Sequence, residues 1–118
     1  MPSTTTTVPI TATRRTGLTL STEWLDSTVV RISASGEIDA SNTAELLDYV
    51  LRRGANCRSL ILDLKNVTFF GTAGFSALQT IGIRSSHASV SWMLVPGPAV
   101  SRLLSICDPQ RTLPRGVE

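Results

Sequence analysis

The stretch FFGTAGFSAL, Phe69 to Leu78, holds the residues of this chain best placed to do chemistry. A lone hydroxyl, Thr72, stands between two glycines, Gly71 and Gly74, after an apolar run and ahead of a helical pattern. Three chemistries suit a hydroxyl on such a turn: a catalytic nucleophile, a phosphate cradle, or a side chain displayed for another enzyme to modify. A nucleophile elbow needs Gly-x-Ser-x-Gly, a histidine base and a carboxylate to orient the base. Here the turn reads Gly71-Thr72-Ala73-Gly74, and the single histidine, His87, lies beyond the far end of the following helical pattern. At 1.5 Å per helical residue that separation is about 20 Å, too far for proton transfer. A P-loop places a lysine directly after its second glycine, and no lysine follows Gly74 anywhere in the chain. The bare Gly-x-x-Gly spacing also has a purely structural reading, in which Gly71 permits a turn and Gly74 allows close helix packing. What remains is a hydroxyl at or beside a helix N-cap, where unpaired amides and the positive end of the helix dipole favour an anion such as a phosphate.

Other chemistries lack their parts. One histidine and two cysteines, Cys57 and Cys107, outside any CxxC pattern, make no convincing ligand set, so neither metal nor cofactor is expected. The two thiols form a candidate redox pair only if their Cα atoms come within about 7 Å. In a reducing compartment two partly buried free thiols are the simpler reading.

The elements that must position Thr72 follow from periodicity. Residues 1–16 are threonine-rich and without apolar period, the composition of a flexible tail, so a domain is expected over 17–118. Leu18 to Leu25 and Thr28 to Ser35 alternate or carry β-branched residues around Asp26-Ser27, which reads as a hairpin. In GEIDASNTAELLDYVLRRG, residues Ala44, Leu47, Val50 and Leu51 recur on one helical face, predicting a helix over 41–53. Asn42 with Glu45 reads as a capping box, and Gly54 as a left-handed C-terminal residue. Leu60 to Leu64 predicts a strand buried on both faces, 72–85 a second helix and 89–95 a further strand. Pro98 sits where proline is tolerated at a helix start. Ala99 to Ile106 predicts a third helix ended by Pro109, with a last short strand at Thr112-Leu113. The order β-β-α-β-α-β-α-(β) implies one α/β domain with a mixed sheet and crossover helices, its first strand antiparallel to the second. Thr72 then lies at a strand-to-helix junction on the sheet rim where functional sites collect.

Composition limits the function further. At 118 residues and 42% hydrophobic the chain suits one domain with one core. Its net charge is only +2 and its arginines are dispersed, so no nucleic-acid footprint is expected. No apolar run approaches the roughly 20 residues that span a bilayer, and the polar N-terminus lacks the pattern of a secretory signal. No membrane insertion and a cytoplasmic location are therefore expected.

Four stretches give the chain a resemblance to the STAS domain family, and within it to the bacterial anti-sigma-factor antagonists. VVRISASGEIDASNTAEL resembles the family's second strand, its Gly-Glu-Ile-Asp turn and its first helix; LILDLKNVTFFGTAGFSAL resembles the central strand and phosphorylation loop. WMLVPGPAVSRLLSIC resembles the following strand and helix, and coverage runs from about Leu18 to Leu113. The resemblance implies a regulator without catalysis of its own. Such a protein binds an anti-sigma factor, often a serine/threonine kinase, and thereby frees a sigma factor. The kinase phosphorylates the loop ahead of the second helix, and a phosphatase resets it.

Aligned on the family's Asp-Ser-Ser/Thr-Gly motif, Thr72 takes the phosphoacceptor position. Asp39, Ser41, Asn42, Gly71, Ala73, Gly74 and Phe75 join it as candidate partner-binding residues, with Asp39 expected close to Thr72. Gly71 stands where the family carries aspartate, and Ala73 replaces its second hydroxyl. Residues 115–118 cannot supply the final helix that the resemblance implies after Leu113, which makes a homodimer an open expectation. Rival readings are a STAS module that does not switch, associated with a membrane transporter, and a nucleotide-binding or redox-regulated module.

Overall fold

The computed structural model describes residues 13–15 and 17–116. Five strands form one sheet in the order β1 (Thr13–Arg15), β2 (Leu18–Trp24), β3 (Val29–Ile38), β4 (Ser59–Phe70), β5 (Ser91–Val95). Strands β1, β2 and β3 pair antiparallel, while β3, β4 and β5 run parallel. The parallel steps are crossed by α1 (Thr43–Arg53) and α2 (Thr72–His87), and α3 (Gly97–Cys107) follows β5. The expected element order and mixed sheet are present. Strand β1 falls inside the segment expected to be a flexible tail; the rest of that tail lies outside the described residues.

The β2–β3 hairpin closes as its sequence implies. One Asp26 carboxylate oxygen accepts the Thr28 amide at 2.7 Å, the Thr28 hydroxyl at 3.0 Å and the Val29 amide at 2.9 Å. These bonds favour the ionised form and hold the Asp26 carboxyl below its usual range, the Thr28 amide contributing most. Side chains alternate across a sheet, and the register sets Val30 beside Leu60, Ile32 beside Leu62, and Leu62 beside Leu94. All five are buried, together with Leu46 and Val50 of α1 and Leu78 and Ile81 of α2.

Several boundaries correct the sequence reading. The α1 face that enters the core is Leu46, Tyr49 and Val50, whereas Ala44 is exposed and Leu47 and Leu51 are half-buried. Tyr49 buries its ring because its hydroxyl shares a 2.7 Å hydrogen bond with Thr22. Asn42 makes no side-chain cap, and Gly54 has φ −92°, so neither the capping box nor a left-handed terminus forms. Strand β4 runs on to Phe70, six residues past Leu64. Asp63 interrupts its apolar run and is buried, with Arg31 Nε and Lys65 Nζ each 3.5 Å from Oδ2. The strand expected at Thr112-Leu113 is instead a single bridge between Leu94 and Arg115.

Candidate functional site

Strands β3 and β4 outrun the rest of the sheet. The β4–β5 pairing stops at Asp63 and Val95, while β4 continues beside β3 as far as the Ile38–Phe70 pair. Two register shifts, between Ser33 and Ser35 and between Gly36 and Glu37, accommodate the extension. Gly36 is required there: its φ is +101°, and a Cβ would lie 1.9 Å from the Gly17 carbonyl oxygen. The Gly36-Glu37-Ile38 part of the Gly-Glu-Ile-Asp segment is thus the end of a strand, and Asp39 is the first residue past it.

The Gly71 amide donates to the Ile38 carbonyl at 3.0 Å. Asp39 and Thr72 each follow one of these two residues, so the β3–α1 and β4–α2 junctions meet on one rim. Gly71 is the N-cap of α2, Thr72 is its first residue, and the Thr72 side chain is exposed. The α2 terminus has no side-chain cap and no acid in its first turn. Its first amides therefore form a site of positive partial charge that no side chain answers.

Across the rim, Asp39 Oδ1 accepts the Ser41 hydroxyl at 2.6 Å and the Ser41 amide at 2.9 Å. These two bonds, the hydroxyl first, hold the Asp39 carboxyl below its usual range, so it is ionised at neutral pH. Asn42 brackets the same loop from beneath: its Oδ1 accepts the Asp39 amide at 3.1 Å and its Nδ2 donates to the Glu37 carbonyl at 2.9 Å.

Of the residues singled out in the sequence, Asp39, Ser41, Gly71, Thr72, Ala73 and Phe75 reach the surface wholly or in part. Asn42 and Gly74 are buried, so they shape the rim and offer no contact area. Gly74 lets α2 start against the Phe70 ring, since a Cβ there would lie 2.5 Å from Phe70 Cε1. Gly71 has no such need: its backbone is extended (φ −90°, ψ 177°), and a Cβ on it would come no nearer than 3.5 Å to its closest neighbour, Phe69 Cε2. The sequence reading in which Gly71 permits a turn is thereby narrowed: the junction forms with backbone angles open to any residue.

Phe69, absent from the sequence-derived set, is 52% exposed on this rim beside Gly71. Alternation along a strand carried to Phe70 would have found it, with Phe70 inward and Phe69 outward. Cys57 and Cys107 are both free thiols, the first buried and the second half-buried. Burial pushes the Cys57 thiol up, away from the reactive thiolate.

Among the described residues no group of three or more His, Cys, Asp or Glu side chains is arranged to hold a metal. Comparison with known proteins gives four findings. A family model described as STAS domain matches residues 22–114. Osmosensory protein A of Mycobacterium tuberculosis is 37% identical over 83 residues, which are 70% of this chain and 51% of that protein. The chain thus spans about half the length of this curated relative. A crystal structure of an anti-sigma factor antagonist from Mycobacterium paratuberculosis superposes with a TM-score of 0.72 at 26% identity, over 83% of this chain and 84% of that one. The anti-sigma factor antagonist SpoIIAA in its unphosphorylated form gives 0.66 at 14% identity, over 84% and 89%, a likeness of fold alone.

Proposed function

The chain belongs to the STAS domain family, and on that premise we propose that it is an anti-sigma-factor antagonist switched by phosphorylation of Thr72. In this reading the unmodified rim of Asp39, Ser41, Phe69, Gly71, Thr72, Ala73 and Phe75 binds an anti-sigma factor with serine/threonine kinase activity and frees its sigma factor. The kinase modifies Thr72, the complex separates, and a phosphatase restores the acceptor. The chain itself supplies a surface and an acceptor hydroxyl and no catalysis. The observation that carries the proposal is the exposed Thr72 hydroxyl at the first position of α2, on a fold that matches an anti-sigma factor antagonist at 26% identity.

The physics of the switch is local. A phosphate adds about −1.5 to −2 charges at pH 7, and the uncapped α2 terminus stabilises that charge in the free protein. A partner seated on the rim must instead desolvate it, next to the ionised Asp39. To turn 99% bound into 1% bound, the phosphate must cost the complex about 5.5 kcal/mol more than the free chain. Affinity capture with the full chain, followed by mass spectrometry, identifies the partner, and incubation with that partner and ATP tests whether Thr72 accepts phosphate. The name of the mycobacterial relative makes an osmotic shift the first condition under which to compare Thr72 phosphorylation in cells.

Gly71 favours a second reading, a binding module that does not switch. The position accepts a Cβ at ordinary contact distance and without backbone strain, so the backbone does not demand glycine where the family carries aspartate. Stable capture of a partner with no phosphate on Thr72 under any condition selects this reading.

A further inference from the structure

At the rim opposite Thr72 the three parallel strands begin together, with Val29, Ser59 and Ser91 in register. Helices α1 and α2 end there as well: Gly54 and Ala55 after α1, Leu60 of β4, Arg84 and Ser85 of α2, and Ala88 just past it line one cavity of about 170 Å³. Four exposed arginines collect on this rim, Arg52 and Arg53 in the last turn of α1, Arg84 in the last turn of α2, and Arg58 just before β4. Three carboxylates accompany them among the described residues: Glu23, directly before Trp24 and opposite Arg31 in the β2–β3 register, and two more. Asp48 is bonded to Arg52 at 3.0 Å, and Asp26 is turned onto the hairpin amides. The Thr72 rim, by contrast, carries Glu37 and Asp39, and its lysine, Lys65, lies 3.5 Å from the Asp63 carboxylate. The last-turn arginines answer their helix dipoles, but Arg58 belongs to no helix.

A second feature coincides with this basic rim. Trp24 and Leu25, consecutive at the β2–β3 turn, are 37% and 45% exposed. Their turn is tied down, with the Leu25 amide donating to the Val29 carbonyl at 2.8 Å, so the exposure is built in. Contacts join them to the arginines. The Arg58 amide donates to the Thr28 carbonyl at 2.7 Å; Arg53 stacks over the Tyr49 ring at 5.3 Å; and the Tyr49 hydroxyl bonds Thr22, two residues before Trp24.

Tryptophan settles at the headgroup level of a bilayer, and arginines beside it are drawn to anionic lipid. We propose that this rim docks the chain on an anionic phospholipid surface, with Trp24 and Leu25 entering the headgroup layer and Arg53, Arg58 and Arg84 facing lipid phosphates. The charge difference between the two rims orients the molecule so that Thr72 faces away from the bilayer, open to a partner. No helix among the described residues is long and apolar enough to cross a membrane, so the contact is one of surface docking. An acidic protein is the competing occupant; two adjacent apolar side chains on a turn fit a lipid interface better than the polar surface of such a protein.

The test is cosedimentation of the full chain with vesicles of equal parts phosphatidylcholine and phosphatidylglycerol, against vesicles of phosphatidylcholine alone, at low salt. Binding only to the mixed vesicles is expected, weakening as salt is raised. Arg53→Glu, Arg58→Glu and Arg84→Glu should each lower partitioning at least about fivefold, and Trp24→Ser with Leu25→Ser should abolish it while thermal unfolding remains cooperative. The chain has two tryptophans; in a Trp92→Phe background the emission of Trp24 should shift to the blue on binding. No binding of the unsubstituted chain to mixed vesicles, equal binding to both kinds, or binding that survives the arginine substitutions overturns the proposal. So does loss of an acidic protein partner from the arginine variants when the vesicles were never bound.

Discussion

Phe69 presents about half of its surface to water one residue before the α2 cap, and a large aromatic in that place is a natural anchor for a partner. Phe69→Ala is expected to weaken binding of the captured anti-sigma factor at least tenfold, with a thermal midpoint unchanged within error; titration calorimetry and a melting curve check the two parts. Gly74 acts in the opposite sense. A methyl group there meets the Phe70 ring, so Gly74→Ala should destabilise the fold by about 1–3 kcal/mol, as overpacking does, measurable as a lower midpoint in urea. These two residues, one at the end of β4 and the other in the first turn of α2, separate surface from scaffold. Thr72 joins the first class, because its side chain is exposed, whereas Asn42, buried and bonded to both Asp39 and Glu37, belongs to the second.

Among the elements, the segment after α3 is held by Asp108. Its Oδ1 accepts the Thr112 amide at 2.9 Å and hydroxyl at 2.6 Å, and its Oδ2 accepts the Leu113 amide at 3.1 Å and Arg115 Nη2 at 2.7 Å. Burial pushes the carboxyl up, but the bonds from Thr112, Leu113 and Arg115 outweigh it and leave the group well below the usual carboxylate range. A depressed folded-state value contributes stability that is present above the unfolded carboxylate value, about 3.9, and lost as pH falls toward the folded one. The melting temperature should therefore drop as pH is lowered below about 4, and Asp108→Asn should melt lower at pH 7 and show a flatter acid limb.

Element by element, what could be read from the sequence tracks how strongly burial imprints a period. The hairpin, α2 and α3 were legible because one face of each meets the core and breakers flank them. The far half of β4 was not: past Asp63 the strand pairs only with β3, and exposed Lys65, Asn66, Thr68 and Phe69 dilute its apolar pattern. That extension carries Phe69, which is why its exposure is not legible in the sequence, whereas Thr72 stands out there as the hydroxyl between two glycines. The α1 face was misread because burial of Tyr49 depends on a hydroxyl partner, Thr22, distant in sequence and invisible to helical periodicity.

At the scale of the whole molecule, the sheet separates two surfaces. One rim joins the ends of β3 and β4 through the Gly71–Ile38 bond, one residue before Thr72 and Asp39 respectively; the other gathers the arginines and the Trp24–Leu25 turn. A partner on the first and a lipid surface on the second would not compete for the same face. The account's central claim concerns the first rim, and the most direct measurement is the affinity of the captured anti-sigma factor for the chain with and without phosphate on Thr72, with Thr72→Glu as a second form. The account predicts tight binding of the unmodified chain and a loss of at least a hundredfold in the phosphorylated and Thr72→Glu forms. Equal affinity for all three would contradict it.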